Sequence, residues 1–416
     1  MENDFYIALR FLLAKKRAML MSLSGIIFGV GLFIVTQAQT AGFEHFFIRT
    51  VLGTDGALRV QDRFQDTIAS MTIKNQAGQA VTRVSLSKER RYVIGVQYPA
   101  KIMEGLLKFE NVTAASAVLR GNVQLDTNFR QETAEIFGIN LEDHLNVSDL
   151  AHQIIFGTLD DFRANPKGAI IGSMLADRVN VTVGDSIVLS QAGRSARFRI
   201  SAIFESGVEH VDKQRVLVHL PEARAILAEP FDVTYIQANL RDTDRAPNDA
   251  DEMQEVLGHS VEPWQEREKI WLDVFRALRA SSALTVSTII LIAGLGMFNT
   301  LAMIVMEKTK EIAILRSMGY TRRDISRIFL LQGALVLLVG SILGCLLGAL
   351  STLLVSSIPL RIRGIFSTDH FVVYWSPWHY LAAVLSATVV VMIASWVPAR
   401  RAARLEPGEI IRGTAA

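Results

Sequence analysis

The sequence predicts an α-helical membrane protein with four transmembrane helices plus a large α+β domain inserted between helices 1 and 2. Three observations carry that reading. Charge-free runs cover Ala18–Phe43, Ala280–Met306, Ile328–Leu360 and Phe371–Ala399, each longer than the roughly 20 residues that cross a hydrocarbon core of about 30 Å. The polar stretch between the first two runs mixes helical and strand periodicities. Lys and Arg gather on one side of the four runs.

Half of the 416 residues are hydrophobic, and the mean hydropathy of +0.29 comes from apolar residues that are concentrated rather than spread. The formal net charge of +2 favours no partner. Cys345 is the only cysteine, so no intramolecular disulfide and no cysteine metal cluster can form. It sits in an apolar run and reads as a small packing residue.

Orientation follows from the basic residues. Arg10, Lys15, Lys16 and Arg17 precede the first run. Lys308, Lys310, Arg316, Arg322, Arg323 and Arg327 lie between the second and third, and Arg400, Arg401, Arg404 and Arg412 follow the fourth. The loop between runs three and four has only Arg361 and Arg363. The positive-inside rule puts both termini and the 307–327 segment in the cytoplasm and the large domain outside. The first run exceeds the usual h-region of a signal peptide and no A-x-A site follows it, which argues for a retained span.

The expected division is a cytoplasmic N-terminus over 1–17, the first span with its outward extension over 18–43, and the outer domain over 44–265. An amphipathic stalk with the second span covers 266–306 and a cytoplasmic helix and loop cover 307–327. The third span is 328–357, a short outer loop 358–376, the fourth span 377–399, and a cytoplasmic tail 400–416.

Within the outer domain, "AIIGSMLADRVNVTVGDSIVLS" (169–190) reads as strand, short helix, turn at Val183-Gly184-Asp185 and strand. "RFRISAIFESG" (197–207) alternates like a half-buried strand through Phe198, Ile200 and Ala202. "RVLVHLPEARAIL" (215–227) reads as a strand and then a helix with Pro221 in its first turn. "AKIMEGLLKF" (100–109) reads as a short amphipathic helix. "RDTDRAPNDADE" (241–252) reads as an acidic loop, with Pro247 and Asn248 as turn formers.

The span edges are gradual. "EREKIWLDVFRALRASSAL" (266–284) places Ile270, Val274 and Leu278 four apart, beside Trp271 and Phe275. That is one amphipathic face, running into the second span without Pro or Gly. It reads as a stalk, with a helix lying in the bilayer interface as the alternative. "TAGFEHFFIRTVLG" (40–53) extends the first span outward in the same way.

The segment "MEKTKEIAILRSMGYTRRDISRIF" (306–329) is dense in charge yet ordered in pattern. Over 307–318, Ile312, Leu315 and Met318 recur at helical spacing. Gly319 supplies a C′ position where positive φ is cheap. Thr321 and Asp324 form a [ST]-x-x-[DE] cap for the next helix. The pattern is helix, Gly stop, cap, helix. A plain snorkelling loop needs none of this order.

Gly340, Gly344 and Gly348 repeat every fourth residue, as do Gly25 and Gly29. Small residues at this spacing let helix backbones approach where lipid supplies no hydrophobic drive. Packing within one chain and packing between two chains explain the spacing equally. Asn299, beside Phe298, is a polar side chain at membrane depth. It suits an interhelical hydrogen bond or the wall of a substrate cavity.

Other chemistries lack support. No G-x-x-x-x-G-K-[ST] and no H-E-x-x-H occurs. Ser173 is not in a G-x-S-x-G elbow. Asp160 and Asp161 read as a helix cap, and His370 and His379 as interfacial residues. No basic stripe with aromatics suggests nucleic acid.

"EKTKEIAILRSMGYTRRDI" resembles the coupling segment of FtsX/MacB-type ABC transporter permeases. "VPARRAARLEPGEIIR" (397–412) resembles their C-terminal signature, and "AIIGSMLADRVNVTVGDSIVL" an element of their periplasmic core domain. "MFNTLAMIVMEKTKEIAILR" (297–316), "SGVEHVDKQRVLVHLPEARAIL" (206–227), "FLLQGALVLLVGSILGCLLGAL" (329–350) and "AGFEHFFIRTVLG" are similar to the LolC/LolE lipoprotein-release type. The stretch 54–98, with its basic patch Lys88, Arg90 and Arg91, has no counterpart in that pattern.

The resemblance implies an inner-membrane permease subunit, not itself an enzyme. ATP and Mg would sit on a separate LolD-like cytoplasmic ATPase. Glu307, Lys308, Glu311, Ile312, Leu315, Arg316 and Gly319 would couple to that ATPase, and Phe298 and Asn299 would line the substrate cavity. A second permease copy or paralogue, a lipoprotein, a periplasmic carrier and membrane lipids are the other implied partners, and no cofactor sits on this chain. The resemblance leaves two other roles open, MacB-type efflux and FtsX-type mechanotransmission.

Overall fold

A computed structural model of the chain describes residues 6–8, 10–12, 16–65, 68–74, 80–86, 91–127, 130–229, 231–359 and 370–405. Lys88, Arg90 and most of the loop between the third and fourth spans lie outside the described residues. The chain divides into two compact units. One comprises 1–45, 273–360 and 370–416, and the other 46–272 with 361–369.

The first unit is helical. Four helices are long and apolar enough to cross a membrane: Met19–Asp55, Lys269–Glu307, Arg322–Ser356 and Pro377–Arg404. In hydrocarbon every backbone N–H and C=O needs a partner, and a helix supplies them all internally. At 1.5 Å per residue, the 40-residue helix Lys16–Asp55 and the 39-residue helix Lys269–Glu307 are each about 60 Å long. Both run unbroken past the ends of their apolar runs, the second through a stalk without Pro or Gly, as its sequence predicts.

The glycines sit where helices of this same chain meet. A Cβ added at Gly340 would lie 2.8 Å from Ile26, at Gly344 2.8 Å from Val30, and at Gly348 3.0 Å from Ile34. Gly25 and Gly29 face Ala293 and Ile290 on the second long helix in the same way. Ile26, Val30, Ile34, Ile290 and Ala293 are all buried in one apolar cluster. Polar contacts add to this packing: Ser22 and Thr300 hydroxyls lie 2.7 Å apart, and Gln37 Nε2 donates to Ser282 Oγ at 3.2 Å.

The second unit is α+β. Its strands are β1 (Leu58–Gln65), β2 (Ile68–Lys74), β3 (Ala80–Leu86), β4 (Arg91–Val93), β5 (Val112–Asp126), β6 (Gln131–Ile139), β7 (Ile154–Gly157), β8 (Gly168–Gly172), β9 (Ser186–Gln191), β10 (Arg194–Phe204), β11 (Arg215–His219), β12 (Tyr235–Leu240) and β13 (His259–Pro263). The main sheet runs β13-β1-β12-β5-β6-β11-β8-β10-β7, with β4 on β1 and β9 bridging β10 and β5. The β6–β11 and β8–β10 pairs are parallel and the rest antiparallel. Strands β2 and β3 form a separate hairpin, so the stretch 54–98 holds a sheet strand, this hairpin and β4.

The strand-helix-turn-strand expected over 169–190 is present as β8, a helix Ser173–Val179, a turn with Gly184 at φ +98° and β9. The 215–227 segment is β11 followed by a helix Leu220–Leu227 with Pro221 in its first turn. Thr158 Oγ accepts from the Asp161 backbone N–H at 3.1 Å, which makes Asp161 part of a helix cap, and Asp160 pairs with Arg163.

One expectation needs correction. The acidic stretch 241–252 is not a loop. It is a 3-10 turn, Thr243–Arg245, running into a helix, Ala246–Leu257. Pro247 falls in the first turn of that helix, where its missing N–H costs nothing, and Ala246, Ala250 and Met253 turn into the core. The amphipathic face of the stalk is mostly open. Phe275 is buried, while Ile270, Val274 and Leu278 are exposed, Ile270 at 79 %. Spacing shows that apolar residues share a face, not what covers it.

Beneath the sheet, His144 is buried and its Nδ1 lies 2.9 Å from Gln237 Nε2. Burial pushes the imidazole down to about 4, Arg215 adds to the shift, and Asp55 opposes it. The ring is therefore neutral in the folded protein. Its stability contribution is complete above the ordinary value of 6.5 and is lost as pH falls toward 4, because only the unfolded chain gains the proton. We expect wild type to lose about 2 kcal/mol between about pH 7.5 and about pH 5 relative to His144→Gln, read as the difference in their thermal midpoints; equal pH dependence of the two proteins would contradict the buried neutral ring. In the helical unit, Gly344→Val should destabilise by about 1–3 kcal/mol through overpacking. Gly296→Ala, where a Cβ meets nothing within 4 Å, should leave the midpoint unchanged or slightly raised.

Candidate functional site: the charged segment between the second and third long helices

The second long helix ends at Glu307, and Lys308 breaks it with φ −94°, ψ 15°. A nine-residue helix, Thr309–Ser317, follows. Met318 ends it, Gly319 turns the chain at φ +101°, and Thr321 starts the third long helix. Thr321 and Asp324 form a complete capping box. The Thr321 N–H donates to Asp324 Oδ2 at 2.9 Å, and the Asp324 N–H donates to Thr321 Oγ1 at 3.3 Å. The break, stop and cap fix a short helix between two long ones.

Its two faces differ. Ile312 and Ala313 are fully buried, and Ile312 belongs to the same apolar cluster as the glycine-seam residues. Leu315 is half-buried against that cluster. Arg316 also turns inward, its Nη1 donating to the Ala403 carbonyl at 2.8 Å near the end of the fourth long helix. Lys308 Nζ pairs with Glu311 Oε1 at 2.5 Å and lies 5.8 Å from the Phe11 ring centroid. The outward face carries Lys310, Glu311, Ile314 and Met318, with Ile314 56 % and Met318 73 % exposed. Glu307 and Gly319 are exposed as well.

Of the residues singled out from sequence, Ile312, Leu315 and Arg316 therefore anchor the segment to its own chain. Ile314 and Met318 are the apolar residues it presents. A groove of about 400 Å³ beside it is lined by Tyr6, Ile7, Arg10, Phe11, Lys308 and Ile314 among others. Of residues 6–12 the sequence marks only Arg10, for its charge, although Tyr6–Arg10 and Ile7–Phe11 stand four apart, the spacing of one helical face.

Phe298 is half-buried and Asn299 exposed on the second long helix. The structure does not bring them into the glycine seams. The interhelical polar contact falls one residue on, at Thr300.

Comparison with known proteins accounts for both units. Residues 283–407 match the FtsX-like permease C-terminal family, and residues 19–256 match the MacB-like periplasmic core domain family. The chain is 25 % identical over 437 aligned residues to the lipoprotein-releasing system transmembrane protein LolC of Xylella fastidiosa strain Temecula1, covering 98 % of each chain. It is 22 % identical over 450 residues to the LolC of Neisseria meningitidis serogroup B, covering 98 % of this chain and 99 % of that one. It is also 33 % identical over 132 residues to the macrolide export ATP-binding/permease protein MacB of Escherichia coli O157:H7, covering 32 % of this chain and 19 % of that one. Four membrane-crossing helices, a mixed α/β domain between the first and second, and matches that together span most of the sequence place this chain among the ABC transporter permeases of the LolC/MacB/FtsX type.

Proposed function

We propose that this protein is the permease subunit of an ATP-driven transporter that draws lipoproteins, or another lipidic cargo, out of the bacterial inner membrane. The observation that carries the coupling part is the Thr309–Ser317 helix, fixed by a break, a glycine stop and a capping box, with Ile314 and Met318 facing outward. A snorkelling loop has no use for two large apolar side chains held in the open beside charge. A groove in a cytoplasmic ATPase of the LolD kind does. ATP and Mg belong to that partner. The buried side of the segment then matters as much as the outer side. Ile312, Leu315 and Arg316 pass a displacement of the helix into the bundle, because close-packed interiors move as units rather than deform.

The similarity to LolC proteins along nearly the whole chain supports a lipoprotein cargo. Each acyl CH₂ exposed to water costs about 0.8 kcal/mol, so extraction needs ATP and a shielded route. In this reading two permease copies or paralogues face each other with two ATPases in the cytoplasm. The α+β unit then lies in the periplasm and passes cargo to a soluble carrier. Local similarity to MacB over 132 residues favours efflux of a periplasmic substrate as the second reading, with the same coupling.

Purification from native membranes in mild detergent, with mass spectrometry of retained components, separates these. A small ATPase together with acylated proteins supports release. An ATPase with a periplasmic adaptor and no acylated protein supports efflux. With no ATPase retained, the coupling assignment fails. Ile314→Asp and Met318→Asp should each lower stimulation of the ATPase at least about tenfold while leaving folding intact, since both side chains are exposed. Gly319→Val should do so through the backbone. A Cβ there meets nothing within 4 Å, but φ +101° resists a β-branched residue by about 1–3 kcal/mol. Normal stimulation by all three variants would remove the coupling role from this face.

A further inference from the structure

A cleft of about 730 Å³ opens within the α+β unit, within the size range of small-molecule sites. One wall is apolar, from Phe47, Val51, Phe137, Val208, Val211 and Trp271. The other is ionic, and its charges come from distant parts of the chain. Arg120 pairs with Glu135 at 2.5 Å, Lys213 with Glu209, and Arg267 with Glu268 at 3.4 Å. Asp55 is shared by two guanidiniums, Arg215 at 3.1 Å and Arg59 at 3.7 Å. Five cations thus line the cleft against four carboxylates.

Glu262, paired across the sheet with Arg59, supplies a fifth carboxylate behind the lining, and the guanidiniums themselves are buried. The side chains of Arg267, Arg215 and Arg59 are only 9 %, 11 % and 14 % exposed. Arg59 Nε and Arg267 Nη1 have no hydrogen-bond acceptor among the described residues. A guanidinium carries five donors, and a buried donor left unmade is costly. The guanidiniums are nevertheless held in place. Arg59 lies 4.3 Å over the Tyr235 ring, Arg215 lies 4.1 Å over the Phe137 ring, and Arg267 Nη2 donates to the Gly56 carbonyl at 3.0 Å. These are fixed donors without hydrogen-bond acceptors, beside a carboxylate oxygen, Asp55 Oδ1, that likewise makes no hydrogen bond, and next to an apolar wall.

We propose that this cleft binds an amphipathic anion, its phosphate or carboxylate taking the free Arg59 and Arg267 donors and its hydrocarbon lying against Val51, Phe47 and Trp271. A lipid head with the start of its chain has that chemistry, and so does a small free amphiphile. The link to transport rests on the lipidic-cargo reading above; the site itself does not.

The test uses the full chain in nanodiscs of neutral lipid, titrated with hexyl phosphate, inorganic phosphate or hexanol. Tryptophan fluorescence reports, and Trp271→Phe identifies the signal from the cleft. We expect saturable binding of hexyl phosphate, at least about tenfold tighter than either control, because charge and chain each contribute. Arg267→Gln should weaken it by about tenfold or more. Glu268→Gln should tighten it, since it releases Arg267 from its competing carboxylate, a gain that a purely structural role for the cluster does not produce. A short-chain phosphatidylglycerol that competes with hexyl phosphate assigns the site to lipid heads; failure to compete assigns it to free amphiphiles. Equal binding of inorganic phosphate or of hexanol, no saturable change, or indifference to Glu268→Gln would overturn the proposal. None of these readouts needs the ATPase, so the cleft can fail while the coupling assignment stands, and the reverse.

Discussion

The helical unit depends on one close approach. The first long helix lies against the third with Ile26, Val30 and Ile34 set into Gly340, Gly344 and Gly348, and against the second with Gly25 and Gly29 set under Ala293 and Ile290. In lipid, apolar side chains gain nothing from leaving their surroundings, so association rests on dispersion and on how closely backbones meet. Five glycines supply that closeness. The same apolar cluster continues through Leu301 and Ile304 to Ile312 and Ile325. The short charged helix is thus an outgrowth of the seam. Its burial at Ile312 and its tether from Arg316 to Ala403 make it part of the bundle rather than a loop hung between two spans.

The α+β unit has a different organising problem, which is charge. Asp55 closes the first long helix, Arg59 opens β1, Arg215 opens β11, and Arg267 ends the short helix Trp264–Arg267. All four are mostly buried and close together. A buried ion pair seldom stabilises a fold relative to apolar packing, and it is strongly destabilising when half of it is lost. Its usual value is to fix geometry. Here it joins segments that lie far apart in the chain to the sheet, while the aromatic rings of Phe137 and Tyr235 set the guanidinium planes.

How much of this was legible follows from the range of each interaction. The four spans, the glycine spacing and the helix-stop-cap order of 309–324 depend on neighbours within a few residues, and the sequence shows them directly. The strand-helix-turn of 168–191 is visible for the same reason. The helix at 246–257 was misread because Pro and Asn mark turns and helix starts alike, and only the burial of Ala250 and Met253 decides. The inward turn of Leu315 and Arg316 was hidden because spacing defines a face without naming its partner. The Asp55 cluster was invisible, since nothing local links 55 to 215 or 267. Asn299 drew attention as the polar residue in its run, yet Thr300, a weaker signal that bonds its own helix backbone as well, makes the contact with Ser22.

The division between what the segment buries and what it shows constrains the mechanism. A coupling element that presented only charge would dock through contacts that salt and solvent screen, and a push on it would be spent in side-chain motion. In the proposed coupling, Ile314 and Met318 would give the ATPase something incompressible to hold. Ile312 gives the bundle the same on the other side, inside a nine-residue helix of about two and a half turns that is bounded by Lys308 and Gly319. Those two residues are where φ and ψ depart from the helix, so a displacement delivered to the short helix must either rotate it about them or move the second and third long helices with it. The capping box at Thr321 and the Arg316–Ala403 bond resist the rotation. What remains is movement of the helices themselves, which is the motion a permease needs.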